Sequence, residues 1–361
     1  MTANIAQGAA QNAVETKKIA IYGAGAMGTV LGALLVKGGL KNVDLINRNA
    51  SHVENLRKNG ARIACVADKR EWTVPVRALL PQEMQDKYDV IFLMTKQRNN
   101  AEIVQFLKAH LQENGVICTT QNGLPEESVA RIVGCERTYG AVTAYGAGFA
   151  DADGVVELTS KIKAMSITVG GYKNDGSHLQ TLNEILSYAA KETHENLVTI
   201  TENLEGARWS KLSINAAFSG LSVVTGLTFG QIARRGKTRK LALGIIRECI
   251  AVALGSGVML EKMHGHDLVK MLGEKTPIKR FIAYMVLPFA MRKYKKSRSG
   301  MLLDIQKGRK CEVDFINGAV SEKGKAVGVE TPLCDKVVEI TRGIENGLYE
   351  TAYENVDFFE I

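Results

Sequence analysis

The amino-acid sequence predicts an α/β protein: a doubly wound, mostly parallel sheet in the first half, followed by an all-helical domain. Three observations support this prediction. An apolar strand, Ile19 to Tyr22, leads through a glycine-rich turn into a helical apolar pattern from Thr29 to Lys37. Strand and helix patterns then keep alternating, as in parallel sheets. After about Glu202 the strand patterns almost vanish, which indicates a helical second half.

Length and composition agree with two globular domains. The chain has 361 residues, with 45% hydrophobic and 23% charged residues, which is typical of folded proteins. We expect a loose N-terminal tail over residues 1–16, a nucleotide-binding domain over 17–198 and a helical domain over 199–361. The tail has no basic start and no apolar core, so we do not interpret it as a signal peptide.

The net charge of +8 raises the question of an anionic partner. The densest basic runs, "ARRGKTRK" (233–240) and "RKYKKSRSG" (292–300), lack the interleaved aromatic residues of nucleic-acid-binding modules. No apolar run approaches the ~18 residues that a membrane span needs. We therefore expect no nucleic acid and no membrane, and a solvated basic surface that attracts phosphate and carboxylate groups.

The cysteine and histidine patterns predict neither disulfides nor a metal site. The six cysteines form no C-x-x-C pair, which favours reduced thiols and a cytoplasmic protein. His264 and His266 flank one glycine without further candidate ligands nearby. We expect a loop or helix end there, and no metal.

The turn after the first strand has the G-x-G-x-x-G pattern of dinucleotide-binding sites, which depends on a strand before it and a helix after it. Gly23 permits the tight turn, Gly25 lets the backbone approach a pyrophosphate, and Gly28 lets helix and strand pack closely. The helix N-terminus then offers free N–H groups to the phosphates. The predicted contacts are Gly23, Ala24, Gly25, Ala26, Met27 and Gly28.

The end of the second strand, Val43 to Ile46, favours NADPH/NADP⁺ over NADH. An NAD site usually has an acidic residue there for the ribose diol, whereas this chain has Asn47 and Arg48. A guanidinium can bind a 2′-phosphate through two donors. Asp44 lies within the strand, too early for the ribose role. The alternative is that Arg48 is an ordinary surface arginine.

Two later strand patterns end in polar residues. "DVIFLMTK" (89–96) ends at Lys96, and "GVICTTQNG" (115–123) ends at Gln121, Asn122 and Gly123. The carboxyl ends of parallel strands form the ligand-binding edge of such a sheet. The strand-like segments within 154–172 are expected to complete the sheet.

The second half shows helical patterns over 202–219, 238–260, 277–298 and 301–325. Within the first of these, "WSKLSINAAFSG" (209–220) places Lys211, Asn215 and Ser219 at four-residue spacing, with Ser222 further along the same face. Short uncharged groups after the lysine suggest a cleft that binds something small. The alternative is that Lys211 extends from a packed helix to water.

A second stretch, "MLLDIQKGRKCEVDFINGAV" (301–320), places Ile305, Arg309, Glu312 and Ile316 on one helical face. The alternative to a functional role is a surface salt bridge between Arg309 and Glu312, worth only tenths of a kcal/mol.

Together, the glycine turn and the motifs "TK", "QNG", "WSKLSIN" and "DIQKGRKCEVDFING" resemble the ketopantoate reductase (2-dehydropantoate 2-reductase) family. The resemblance runs from about Lys17 to the C-terminal helices. It implies a Rossmann domain followed by a helical domain like the C-terminal domain of 6-phosphogluconate dehydrogenase. It also implies that NADPH binds in the cleft, that ketopantoate is reduced to D-pantoate for pantothenate synthesis, and that a homodimer is possible.

The resemblance also implies roles for individual residues. Residues 23–28 match the phosphate-binding loop, Lys211 matches the catalytic lysine, and Asn215 matches the substrate-binding asparagine. Glu312 matches the glutamate of "T-E-x-D", with Cys311 in place of the threonine. Further cofactor contacts are expected at Lys96, Asn122 and Gly146.

Three departures from the family pattern concern the substrate pocket. Ser219 stands where a second asparagine is common, Gly300 where a serine is frequent, and Phe229 where some members have a polar group. A reductase for another branched 2-oxo acid, or for an imine, therefore stays open. So does a non-catalytic NADPH sensor, although such a protein would not need Lys211, Asn215 and Glu312.

The residues fit the chemistry of ketone reduction. Hydride transfer builds negative charge on the carbonyl oxygen, so the site needs a positive, proton-bearing group within reach of that oxygen. Lys211 is the candidate, because partial burial and nearby cations would lower its pKa and favour proton release. Glu312 would orient the lysine or bind the new hydroxyl group.

Overall fold

The computed structural model describes residues 14–150, 154–263, 265–273 and 276–360. Most of the expected N-terminal tail, and His264, lie outside these residues. The chain forms two compact units. The first comprises the residues up to Gln121 together with Pro125–Leu204, and the second comprises Asn122–Leu124 together with the residues from Glu205 onward.

The first unit is built on a main sheet with the order β12-β11-β8-β7-β6-β1-β2-β5. Its strands pair in parallel except for β11, which runs antiparallel to β8. The predicted first and second strands have the predicted bounds. The strands described are β1 Ile19–Tyr22, β2 Val43–Ile46, β3 Ala61–Cys65, β4 Arg70–Val74, β5 Arg77–Leu79, β6 Tyr88–Leu93, β7 Leu111–Thr119, β8 Thr138–Thr143, β9 Ala147–Phe149, β10 Val156–Leu158, β11 Ile167–Gly171 and β12 Val198–Ile200.

One expectation about the sheet is wrong. Of the two segments expected to complete the main sheet, only β11 joins it. The other, β10, pairs with β3 and β9 in a separate sheet of order β4-β3-β10-β9. A three-residue strand has no sequence feature that distinguishes one edge from another, so its partner depends on tertiary contacts.

Helices cover the main sheet, and the buried apolar residues of this unit form two clusters. They are α1 Ala26–Lys37, α2 Ala50–Asn59, α3 Asn100–Ala109, α4 Glu126–Val133 and α5 Leu179–Lys191. The helix after the glycine turn buries Val30, Leu31 and Leu34 against Ile19 and Ile21 of β1. This packing fixes the start of α1 at the carboxyl end of β1, where a parallel sheet binds ligands.

The second unit is helical, so the predicted fold class is confirmed. Its helices are α6 Leu204–Thr225, α7 Phe229–Arg234, α8 Gly236–Gly255, α9 Leu268–Leu272, α10 Pro277–Ala290, α11 Gly300–Gln306, α12 Val313–Val327 and α13 Pro332–Glu345. No helix among the described residues is long and apolar enough to cross a bilayer.

The helix expected over 301–325 is two helices. α11 ends at Gln306, and Gly308 takes a left-handed conformation with φ +64°, which suits glycine and ends helices. Glu312 therefore precedes the first turn of α12. The expected shared helical face with Arg309 does not exist.

Candidate active site

The glycine turn has a different reason for glycine at each of its three positions. Gly23 has φ +97°, and a Cβ there would lie 2.6 Å from the Thr95 nitrogen. A Cβ on Gly28 would lie 2.7 Å from the Gly23 oxygen, whereas a Cβ on Gly25 would have no neighbour closer than 4.0 Å. Protein packing thus requires Gly23 and Gly28, while open space in front of Gly25 leaves room for a ligand such as a pyrophosphate.

The N-terminus of α1 is suited to an anion. Gly25 is the N-cap, so no side chain accepts a hydrogen bond from the first turn, and that turn contains no acidic residue. The N–H groups of the first turn of a helix lack intrahelical partners and carry partial positive charge. The geometry of the turn and helix therefore fits the phosphates of a dinucleotide.

Two buried polar side chains, His52 and Thr29, hydrogen-bond the backbone of the glycine turn. Neither side chain was identified from the sequence. His52 Nε2 donates to the Ala24 carbonyl at 2.9 Å, and Thr29 Oγ1 donates to the same oxygen at 3.2 Å. Burial lowers the pKa of His52, so the imidazole stays neutral under the loop. A histidine inside a polar helix, "ASHVENLRKN", has no sequence feature that would reveal this contact.

The end of β2 agrees with the sequence prediction about Asp44. Asp44 is buried, accepts a 2.7 Å hydrogen bond from the Tyr88 hydroxyl and lies 3.3 Å from the Arg77 guanidinium. Its carboxylate is therefore engaged inside the sheet. Arg48 lies exposed in the following loop, close enough to Tyr22 for its charge to affect the pKa of that phenol.

Polar residues at the ends of β6 and β7 form a buried network. Gln121 Nε2 donates to Asn100 Oδ1 at 2.7 Å, and Asn100 Nδ2 donates back to Gln121 Oε1 at 3.1 Å. Gln121 also donates to Thr95 Oγ1 at 3.2 Å. The network fixes the two strand ends against each other, beside the exposed Lys96 and Asn122.

Both backbone polar groups of Gly146 form hydrogen bonds within the chain. Its N–H donates to Ser160 Oγ at 2.9 Å and its carbonyl accepts from the Thr159 N–H at 2.9 Å. In this arrangement the N–H is not available to a cofactor, so any contact from Gly146 would have to come from its carbonyl oxygen.

In the second unit, α6 presents one accessible stripe. Every residue from 206 to 225 is buried except Lys211, Ile214, Asn215 and Ser219, which are partly buried. Lys211, Asn215 and Ser219 are therefore three of the four partly accessible residues of this stretch, and they do not form a broad solvated face. Ser222 is not one of these accessible residues. It is fully buried and donates to the Leu227 carbonyl at 2.8 Å.

The electrostatics of Lys211 suit a proton donor. Burial, with a further contribution from the charge of Arg208, lowers the pKa of Lys211 to about 7. No described residue accepts a hydrogen bond from its ammonium group. Arg208, one helical turn earlier and 2% exposed, is a functional candidate that sequence reasoning missed. A large buried cation next to an accessible lysine favours the neutral amine and hence proton release.

One hydrogen bond links Ser219 to Ser299, the residue before Gly300. Ser299 caps α11 by accepting from the Leu302 N–H at 2.9 Å, and its hydroxyl also donates to the Ser219 carbonyl at 3.5 Å. The neighbouring Gly300 is exposed, and a Cβ added there would meet no atom within 4 Å. A serine hydroxyl is thus present one residue before the position expected from the family. Phe229 packs its ring on Phe218, with centroids 5.6 Å apart.

Glu312 is partly buried and precedes the first residue of α12. Asn317, further along that helix, donates to the Ala216 carbonyl at 3.1 Å and so fixes α12 against the lysine-bearing helix. Burial, with Glu345 and Asp304 nearby, raises the pKa of Cys311 to about 12, so its thiol stays protonated. The described ranges contain no group of three His, Cys, Asp or Glu side chains that could hold a metal ion.

Both halves of the chain match models of one protein family. The model described as ketopantoate reductase PanE/ApbA matches residues 19–173. The model described as ketopantoate reductase PanE/ApbA C terminal matches residues 203–345. The two models cover both units, including the glycine turn and the accessible stripe of α6.

Individual proteins of this family are similar to the chain over most of its length. The 2-dehydropantoate 2-reductase of Pyrococcus abyssi is 28% identical over 319 residues, which span 88% of this chain and 94% of that protein. The crystal structure of 2-dehydropantoate 2-reductase from Geobacter metallireducens is 26% identical, with a TM-score of 0.74 over 90% of this chain and 99% of that one. D-Mandelate dehydrogenase, solved with NADH and anilino(oxo)acetate, has the same fold at 24% identity, with a TM-score of 0.76 over 92% and 99% of the two chains.

Proposed function

Because the chain belongs to the ketopantoate reductase family, we propose that it uses NADPH to reduce ketopantoate, a 2-oxo acid, to the 2-hydroxy acid D-pantoate. As a member of this family the chain is an oxidoreductase. The choice of NADPH and of ketopantoate is our proposal, and each rests on particular residues.

The observation that carries the proposal is the accessible stripe of α6. It offers one cation, Lys211, with a pKa of about 7, followed by the short polar side chains of Asn215 and Ser219. A carbonyl that accepts hydride needs a proton donor beside its oxygen and neutral hydrogen-bonding groups for the rest of the substrate. A non-catalytic sensor would need neither.

In the proposed mechanism, the hydride would come from NADPH held at the glycine turn. Lys211 stabilises the developing charge on the substrate oxygen and gives up a proton from Nζ to form the hydroxyl group. Its lowered pKa reduces the cost of that transfer near neutral pH. Asn215 and Ser219 hydrogen-bond the carboxylate or hydroxyl of the substrate, and Glu312 orients the lysine or the new hydroxyl group.

The proposed cofactor site starts at the glycine turn. The turn and the first helical turn of α1 would hold the pyrophosphate, and Lys96 and Asn122 would orient the nicotinamide half. Arg48 favours NADPH, because the exposed guanidinium follows β2 where a 2′-phosphate is bound in related folds. The buried Asp44 cannot serve the ribose of NADH, because its oxygens are already engaged.

A second candidate is a reductase for another 2-oxo acid or an imine. Ser219 and Gly300 favour this candidate. Both are smaller than the residues common at these positions in the family, so they would leave more room for a different substrate. The fold itself is compatible with a different 2-hydroxy acid, as D-mandelate dehydrogenase illustrates.

A substrate panel separates the candidates. NADPH oxidation is followed with ketopantoate, pyruvate and 2-oxoisovalerate under the same conditions. We expect the highest kcat/KM with ketopantoate. A higher value with another 2-oxo acid would favour the second candidate, and no oxidation with any of them would contradict both.

A further inference from the structure

Helix α10 has an apolar stripe that faces solvent. The stripe consists of residues at helical spacing with large exposed fractions: Ile278 (75%), Phe281 (65%), Ile282 (52%), Met285 (48%), Val286 (36%) and Phe289 (75%). Contiguous exposed apolar surface of this kind marks a site of interaction with a protein, a ligand or a membrane.

The stripe is not the side by which α10 packs on its own unit. Ala283, Leu287 and Met291 are buried in the helical core and lie on the opposite side of the helix. The helix is therefore apolar on two sides. The side with Ala283 and Leu287 packs on the helical core, and the stripe remains exposed. Such a pattern is expected of a helix that buries its second side in another medium.

Two basic runs meet beside the stripe. Residues 276–303 contain seven Lys and Arg and no Asp or Glu, and residues 233–240 contain five and no acidic residue. The two runs together hold twelve positive charges, more than the net charge of the whole chain, which is +8. In the sequence they look like separate solvated segments.

The structure joins the two runs. The Phe229 N–H donates to the Ser297 carbonyl at 3.0 Å. Arg239 lies 4.2 Å from the centre of the Tyr284 ring and donates to the Tyr284 carbonyl at 3.2 Å. Lys237 is paired with Asp357. The exposed basic side chains in the two runs also include Arg234, Arg235, Lys240, Arg280, Arg292, Lys295, Lys296 and Arg298.

A groove beside α10 combines the same two properties. Its volume is about 750 Å³. It is lined by the cations Lys240, Arg247 and Arg280, by the acids Glu248 and Glu360, and by apolar residues that include Phe281 and Leu333. Burial and the neighbouring Arg280 lower the pKa of Arg247, so the like charges in the groove repel each other. Glu248 is engaged by the Leu333 and Cys334 N–H groups, and the three cations outnumber the two carboxylates. The groove therefore still favours an anionic group with an apolar tail.

We propose that this face of the helical unit binds the surface of an anionic lipid bilayer, which departs from the sequence expectation of no membrane partner. The apolar stripe enters the boundary between headgroups and acyl chains, and the two basic runs contact the headgroups, as in interfacial amphipathic helices. A second copy of the chain would bring like charges together across the contact. A nucleic acid would match the charge but leave Ile278, Phe281 and Phe289 exposed.

Vesicle sedimentation with the full chain tests this proposal. Vesicles of phosphatidylcholine alone are compared with vesicles that also contain phosphatidylglycerol, at low and high salt. We expect binding to the anionic vesicles only, weakened by salt. Phe281→Ser/Phe289→Ser should weaken it about tenfold, because the inserted side chains are lost. Lys296→Glu/Arg298→Glu should do the same through charge.

The controls change equally exposed residues elsewhere. Leu348→Ser removes a side chain that is 74% exposed, and Lys58→Glu/Lys87→Glu reverses two exposed charges of the first unit. Both controls should bind vesicles like the wild type, and thermal melts confirm that every variant is folded. These readouts do not depend on reductase activity, so the proposed function is tested separately.

Three results would overturn the proposal. The first is equal binding to neutral vesicles, or none to anionic ones. The second is sedimentation equilibrium that shows a wild-type dimer dissociated by Phe281→Ser/Phe289→Ser, since a second copy would then cover the stripe. The third is tight binding of duplex DNA that depends on Lys296 and Arg298 without any binding to vesicles.

Discussion

Arg208 is buried one helical turn before Lys211, and its charge adds to the burial that lowers the pKa of the lysine to about 7. A lysine in water titrates near 10.4, so this relationship moves its proton release to neutral pH. Helix α6 thus contains a buried cation, Arg208, that makes Lys211 more acidic, and Lys211 itself is accessible to a substrate.

This relationship predicts a pH dependence. Reduction needs protonated Lys211, so kcat for reduction should fall as pH rises through about 7, with a limiting slope of −1 in log kcat. Arg208→Gln removes the nearby charge, which raises the pKa of Lys211 and moves the break to higher pH. Arg208→Lys keeps the charge and should keep the break. pH profiles of kcat measure this, and a break unmoved in Arg208→Gln would exclude the electrostatic role.

The glycine turn predicts opposite outcomes for two alanine variants. Gly23→Ala places a Cβ 2.6 Å from the Thr95 nitrogen at φ +97°, so we expect a loss of stability of about 1–3 kcal/mol. Gly25→Ala meets no protein atom closer than 4.0 Å. It should keep the wild-type Tm but raise Kd for NADPH about tenfold, because the methyl group occupies the pyrophosphate space.

Thermal melts and fluorescence titrations with NADPH measure the two effects. If Gly25→Ala bound NADPH like the wild type, the pyrophosphate would not approach the backbone at this position.

Arg48 predicts cofactor preference. Arg48→Asp replaces the cation with a charge that repels the 2′-phosphate, so kcat/KM for NADPH should fall about 100-fold while that for NADH changes far less. Arg70→Asp, at an exposed position in the separate sheet, serves as the control. Steady-state kinetics with both cofactors decide the point. Equal losses with NADPH and NADH would mean that Arg48 does not read the 2′-phosphate.

Ser219 predicts substrate preference. Ser219→Asn introduces the amide that is common in the family, and such an amide can hydrogen-bond the hydroxyl group of ketopantoate, which 2-oxoisovalerate lacks. We expect the ratio of kcat/KM for ketopantoate to that for 2-oxoisovalerate to rise about tenfold. Ser256→Asn, at an exposed position near the end of α8, should leave the ratio unchanged. A ratio that stays constant in Ser219→Asn would place the specificity contacts elsewhere.

Much of this architecture is readable from the sequence because it depends on local rules. The first two strands and the glycine turn follow from apolar runs and from backbone demands that only glycine meets. The stripe of Lys211, Asn215 and Ser219 follows from helical spacing.

Other features depend on distant parts of the chain. The partners of β10, the contact of His52 with Ala24 and the burial of Arg208 are tertiary facts without a local pattern. Gly308 is a local signal for the break, but the apolar spacing of 301–325 continues across it and favours a single helix. The two basic runs come together beside α10 only because three helices pack against one another. Composition alone therefore indicates only a solvated basic surface.

The central claim is that Lys211 donates the proton in ketone reduction. Its most direct test is kcat of Lys211→Ala with NADPH and ketopantoate, together with the NADPH dissociation constant and with Lys325→Ala on α12 as the matched control. We predict a loss in kcat of about 100- to 10,000-fold, the range of general acid catalysis, with unchanged NADPH binding and a normal control. Turnover within a few-fold of the wild type would contradict the claim.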